Sequence, residues 1–264
     1  MALPEELVEE ILLRFPPDDP ASLLRAALVC KPWCGLISGS GFRRRLRDLH
    51  RTPPVLGLCY LRVDGALDNL RYDTRFVPTT SFCPPRADLR CWDAIDCRHG
   101  RVLLIHHSQI DFVVWDPITD EKQQLPGPQD ETDEYWSWLS WNAAVLCAGG
   151  GACDHLDCHR GNFNVVLVCT TTTGILLYVY SSEAGAWSQP ASLRRHEFPG
   201  FLSILGTAVV GSAPYFLLDN GSKIFKYELG TQEVSLIQGP PASSYQWPIV
   251  LMTGGWYAGI CHLA

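Results

Sequence analysis

The sequence has no apolar run of membrane-spanning length. The nearest, Val165 to Tyr180, is split by Thr170 to Gly174 and reads as two strands. It has no basic-then-apolar start, and Glu5, Glu6, Glu9 and Glu10 argue against a transit peptide. An odd count of 11 cysteines without a secretion signal reads as free thiols in a reducing compartment, which places the chain inside the cell, in cytoplasm and/or nucleus. There is no nucleophile elbow, no phosphate-binding glycine loop and no zinc-protease helix motif, so the expectation is a non-enzyme. Basic charge is scarce outside the N-terminal part. Residues 1–54 hold 8 Lys/Arg against 7 Asp/Glu and the remainder 13 against 21, which disfavours nucleic acid as the main partner.

What is present describes a folded protein. Hydrophobic content is 47% and charge 19%, and 264 residues leave room for a small helical domain and one larger domain. From Leu3 to His50 the apolar positions fall at helical spacing. Leu3, Leu7 and Ile11 form one stripe and Val8 and Leu12 another beside it, so one face is expected to pack on neighbouring helices and another to meet a partner. Pro4 suits a first helical position, with Glu5 and Glu6 in the first turn, and Phe15-Pro16-Pro17 ends the helix. Asp19 is placed to cap a second helix carrying Leu23, Leu24, Ala27 and Leu28 inward. Lys31-Pro32 forces a break, Trp33, Leu36 and Ile37 form a short third helix, and Phe42, Leu46 and Leu49 line a fourth. Arg43, Arg44, Arg45, Arg47 and Arg51 on that last helix read as a solvated face rather than a nucleic-acid patch.

Leu3-Pro4, Leu7, Ile11, Phe15-Pro16, Val29-Cys30-Lys31, Trp33, Leu36, Phe42 and Leu46 stand in the order and spacing of an F-box, which this segment resembles; the usual second Leu-Pro is Phe-Pro here. The resemblance implies docking onto the Skp-family adaptor, and through it a cullin, of an SCF-type ubiquitin ligase. It makes Leu3, Pro4, Leu7, Ile11, Leu24, Val29, Cys30 and Trp33 the candidate adaptor-binding set.

After a Thr52-Pro53-Pro54 linker the period becomes strand-like. Val55 to Leu61 reads as a strand, followed by a poorly patterned stretch to about Arg90. A unit then recurs: His99 to Pro126, Asn164 to Pro190 and Ala208 to Pro240, with a fourth copy cut off after Ile249. Within the first copy, Asp116-Pro117-Ile118-Thr119 reads as a turn, and within the third Asn220-Gly221 does. The aromatics that end the middle strands, Trp115, Tyr180 and Tyr227, lie 65 and 47 residues apart. With Gly127 to Phe163 taken as an insertion, the period is about 45, the size of a propeller blade. These segments resemble the blades of plant, grass-type F-box proteins with a C-terminal propeller-like associated domain. A closed propeller needs at least about four blades, and this chain supplies fewer.

Two stretches carry chemistry-bearing residues. Asp130, Glu131, Asp133 and Glu134 run into Tyr135, Trp136, Trp138 and Trp141, either a recognition loop, with Tyr135, Trp136 and Trp138 as target-binding candidates, or tryptophans filling blade interfaces beside solvated acids. Cys147, Cys153, His155, Cys158 and His159 are zinc-ligand types. Their spacing does not match the paired knuckles of common structural sites, and Gly149-Gly150-Gly151 favours a plain flexible loop, so no metal is expected. Cys91, Cys97, His99, His106 and His107 are weaker still, because consecutive histidines on a strand point to opposite faces.

The expectation is therefore a multidomain chain: an all-α F-box bundle at 1–50, a linker with irregular strands at 51–90, and an incomplete all-β propeller-like domain at 91–264. Its expected role is substrate-recognition subunit of an SCF-type E3 ligase, without cofactor, with an unknown protein target and with neither nucleic acid nor membrane as partner. The competing readings are a protein-interaction module or truncated decoy outside any ligase, and, more remotely, a propeller enzyme or metal-binding protein.

Overall fold

The structure, a computed structural model, describes residues 4–16, 19–50, 57–64, 71–78, 89, 91–106, 111–128, 138–150, 153, 155, 158–188, 191–194, 200–219 and 222–239. The chain divides into two compact units, Met1–Leu58 with Val77–Cys83, and Cys59–Phe76 with Pro84–Ala264.

The first unit holds four helices, α1 (Glu5–Leu13), α2 (Pro20–Ala27), α3 (Lys31–Ser38) and α4 (Ser40–His50). Each break has a local cause. The carbonyl of Pro4 accepts the first helical N–H bonds of α1, from Leu7 and Val8. Pro20 and Pro32 each sit in the first turn of a helix, where a missing N–H costs nothing. Val8, Leu12, Leu13, Ala26 and Phe42 make the buried core, with Phe15, Leu23, Trp33, Leu36, Ile37 and Leu46 packed against it. Arg45 ties α4 to α1 through Glu9 at 2.9 Å and Glu10 at 2.5 Å, and His50 bonds the Leu13 carbonyl at 2.7 Å.

Two expectations for α2 are corrected. Leu24 and Leu28 do not point inward; Ala26 and Leu23 take that place against the core. Asp19 stands at the N-cap but gives no side-chain cap; its carboxylate instead accepts a bond from the Ser22 hydroxyl at 2.5 Å.

The second unit is built of antiparallel sheets. Strands β1 (Gly57–Asp64) and β2 (Arg71–Pro78) pair as a ribbon; β1 overlaps the strand expected at Val55 to Leu61, and β2 is regular where a poorly patterned stretch was expected. Three four-stranded meanders follow, each with strands in sequence order. The first is β3 (Trp92–Arg98), β4 (Arg101–His106), β5 (Phe112–Asp116) and β6 (Glu121–Leu125). The second is β7 (Ser140–Cys147), β8 (Phe163–Thr170), β9 (Gly174–Ser181) and β10 (Ala186–Trp187), with β11 (Ala191–Arg194) also pairing β9. The third is β12 (Leu202–Val210), β13 (Ala213–Leu218), β14 (Lys223–Glu228) and β15 (Glu233–Gln238). The Gly127 to Phe163 segment is thus not a simple insertion, since β7 within it opens the second meander.

Alternation along the strands sends side chains to both sheet faces, and both are buried. Val102 and Leu104 join Cys59, Leu89, Val113 and Trp115, while Leu103 and Ile105 face Ala143, Val145, Val165 and Leu167 of the second meander. Ala144, Val166, Val168 and Leu177 face Phe216, Leu218, Phe225 and Tyr227 of the third. The three meanders therefore stack face to face, and among the described residues the sheets do not close, consistent with an incomplete propeller-like domain.

Polar bonds join the first strands of the three meanders. The Asp96 carboxylate accepts the Val145 N–H at 3.0 Å and pairs with Arg98 at 3.1 Å; Arg98 in turn donates to the Thr207 carbonyl at 2.5 Å. Asn142 donates to the Ser203 carbonyl at 2.7 Å. The third strand of each meander runs into an equivalent turn. Asp120, Gly185 and Gln232, each four residues past the strand's end, have φ of 61°, 66° and 58°. The Asp116 carboxylate caps the first of these turns through the N–H groups of Ile118 (2.8 Å) and Thr119 (3.3 Å), and the Ser181 hydroxyl caps the second through Ala184 (3.3 Å).

Candidate functional site

Among the described residues, six of the twelve large apolar side chains that face solvent lie on the four helices or the turn after α2. Leu7 and Ile11, one turn apart on α1, are 51% and 49% exposed, while Val8 and Leu12 beside them are buried. On α2 and the turn after it, Leu24, Leu28 and Val29 are 66%, 86% and 65% exposed. The two stripes of α1 thus divide as their spacing predicts: one is core and the other is uncovered. Pro4 and Cys30 are also exposed, whereas Trp33 is half-buried against the helical core. Leu3 lies outside the described residues. Leu28, the most exposed of the set, is a residue that sequence reasoning assigned inward; its position on the last turn of the helix, where the chain leaves α2, is what turns it out.

In the β unit, Trp138 is half-buried and packs on the core between the first two meanders, its ring 6.4 Å from Tyr178. Trp141 packs there too, edge-on to Phe112 at 6.1 Å. These two tryptophans fill a sheet interface. Tyr135 and Trp136 lie outside the described residues, as do His107, Asn220-Gly221, the Thr52-Pro53-Pro54 linker and the copy after Ile249.

A second constellation lies at the end of the second meander. The connection from β7 to β8 brings the Cys147, Cys153 and Cys158 sulfurs and a His155 ring nitrogen within 4.8 Å of one another. His159, the fifth residue of the sequence set, is not one of this group. The His155 ring stacks on His99 at 3.9 Å, with 14° between the planes. Burial, the neighbouring His155 and the cations Arg98 and Arg101 push His99 down to about 4. Burial, then the facing thiols Cys147 and Cys153, push the Cys158 thiol up to about 12, and burial also raises Cys147. Of the weaker set, His106 packs edge-on against Trp92 at 5.2 Å and Cys91 is exposed, so neither joins the cluster.

The features define a class: a small helical module with an uncovered apolar face, followed by a stack of antiparallel sheets. Residues 1–45 match the F-box domain family, and the chain carries an F-box domain there. No curated protein matches the sequence. Among solved structures, apo AztD from Citrobacter koseri is similar at 14% identity and a TM-score of 0.31, over 68% of this chain and 42% of that one. The likeness spans under half of that protein and is too distant to carry a functional argument. No helix among the described residues is long and apolar enough to cross a membrane.

Proposed function

We propose that the chain is the substrate-recognition subunit of an SCF-type E3 ubiquitin ligase, of the plant, grass-type group whose F-box precedes a propeller-like domain. The observation that supports this is the uncovered face of the F-box, Leu7, Ile11, Leu24, Leu28 and Val29, on helices whose opposite sides already fill a core. Exposed leucines at this density in so small a module are a docking surface for the Skp-family adaptor, and through it a cullin. Pro4, Cys30 and Leu3 extend that surface, and Trp33 supports it from beneath. The sheets hold a protein target, with Tyr135 and Trp136 at the recognition loop and Trp138 anchoring its base.

No residue of the chain need perform chemistry in this role. Holding a target near the charged ubiquitin-conjugating enzyme raises the effective concentration of its lysines, which is the catalytic contribution of a receptor. The place of action is the cell interior, cytoplasm or nucleus. Co-purification tests the reading. Wild type retains the adaptor and Leu7→Asp/Ile11→Asp, which alters only solvent-facing positions, does not. Equal recovery of adaptor with the double variant overturns the assignment of this face, and none with wild type supports an interaction module or decoy outside any ligase.

A further inference from the structure

In two of the meanders the first hairpin turns in two residues, His99-Gly100 between β3 and β4 and Gly211-Ser212 between β12 and β13. Positive φ at His99, Gly100 and Gly211 suits such tight turns. In the middle meander the equivalent connection runs from Ala148 to Asn162, closed at its base by the Ala148 N–H on the Asn162 carbonyl at 3.1 Å. A connection of this length, rich in glycine and with Leu156 as its one large apolar residue, needs another source of order. It carries Cys153, His155 and Cys158, which join Cys147 at the end of β7 in the four-residue cluster. It also reaches both neighbours. His155 stacks on His99, a side chain at Gly100 would press on His159 at 3.2 Å, and one at Gly150 would touch Ser212 at 3.9 Å.

We propose that Cys147, Cys153, His155 and Cys158 form a structural zinc site that pins this connection across the ends of the three meanders. Zinc takes four ligands of these types at about 2.3 Å from sulfur and about 2.0–2.1 Å from nitrogen, so tetrahedral ligands lie roughly 3.5–3.8 Å apart. His155 Nδ1 is already 3.4 Å from Cys158 Sγ, and no pair of the four exceeds 4.8 Å. Closing onto an ion therefore needs shifts of about 1 Å or less. Three thiolates and one imidazole favour zinc over hard cations such as magnesium or calcium.

Backbone donors reach two of the sulfurs. The Gly149 N–H donates to Cys147 Sγ and the His155 N–H to Cys153 Sγ, both at 3.4 Å, as backbone donors do around metal-bound thiolates. A zinc ion with three thiolates leaves one net negative charge, and the buried Arg101 guanidinium is within electrostatic reach of all three sulfurs. Arg101 is fixed there by its bonds to the carbonyls of Cys158 and Gly161, while its Nη1 is buried with no hydrogen-bond partner. Gly149 is required by the fold of the site. A Cβ there would sit 3.0 Å from Cys153 Cβ and 3.6 Å from the Cys147 sulfur.

The test uses the full chain purified under reducing conditions without chelator. Elemental analysis is expected to find one zinc per chain. After chelation, cobalt(II) titration should give tetrahedral ligand-field and thiolate charge-transfer bands that saturate at one equivalent and vanish on adding zinc. Cys153→Ser and His155→Ala should lose the bound equivalent, while Cys91→Ser, exposed and outside the cluster, should keep it. Chelation should lower the melting temperature of the wild type, and zinc should restore it, a readout that does not depend on the variants folding. Wild type with reduced thiols that binds no stoichiometric zinc and gives no tetrahedral cobalt bands overturns the proposal, as do undiminished bands in a folded Cys153→Ser.

Discussion

Asp96 and Arg98 sit side by side on β3 with almost no access to water, yet neither belongs to any docking or ligand site. Their work is to join sheets. Asp96 satisfies a backbone N–H of β7, and Arg98 a backbone carbonyl of β12. Removing one partner of such a pair leaves an uncompensated buried charge, so Asp96→Ala is expected to destabilise the β unit by about 3–5 kcal/mol, measured by denaturant unfolding. A loss under about 1 kcal/mol would show that water reaches the pair. Trp115 is the comparable apolar case. It is fully buried, edge-on to Phe76 at 6.4 Å, with its indole N–H on Asp120 at 3.1 Å. Trp115→Ala is expected to cost about 3–5 kcal/mol by the same measurement.

At the scale of elements, the parts of each meander that were legible in the sequence are those whose apolar pattern is unbroken. β4, β5, β8 and β13 stand out because both faces are buried and nearly every residue is apolar or aromatic. The opening strands β3 and β7 do not, and the reason is physical. Asp96 and Arg98 in β3, and Ser140 and Asn142 in β7, are side chains that bond from one sheet to the next, so their strands lack an unbroken apolar pattern. The thiol cluster was hidden for a related reason. Its ligands come from the end of a strand, a loop and a 3-10 turn at Cys158–Arg160, and only the closure of the hairpin brings them together. The helices of the F-box were the most legible, but which apolar residues were core and which were uncovered was not decidable on α2, where small Ala26 rather than Leu24 or Leu28 is buried. Another element-scale prediction concerns β11, which pairs β9 with Arg194 opposite Gly174. Any side chain at Gly174 would collide with the Leu193 carbonyl. Gly174→Ala should therefore cost about 1–3 kcal/mol and speed amide exchange in β11 selectively, as expected of an overpacked site.

For the molecule as a whole, the division of labour follows from what each unit leaves uncovered. The helical unit has a core of five buried residues and a larger set of apolar residues facing solvent. The β unit buries both faces of its central strands and joins its sheets through a few buried polar side chains. The F-box at residues 1–45 supports a substrate-adaptor role, and the proposed account adds that the sheets after it hold the target. The most direct test of that account is calorimetric titration of a purified Skp-family adaptor into the full chain, with Leu7→Ala/Leu24→Ala and Leu12→Ala as comparators. Truncating two uncovered anchors at about 1–2 kcal/mol or more each predicts a Kd at least about 30-fold weaker with unchanged unfolding, while Leu12→Ala, in the core, loses about 2–5 kcal/mol of stability. Wild-type affinity in a folded Leu7→Ala/Leu24→Ala chain would contradict the assignment of this face to the adaptor.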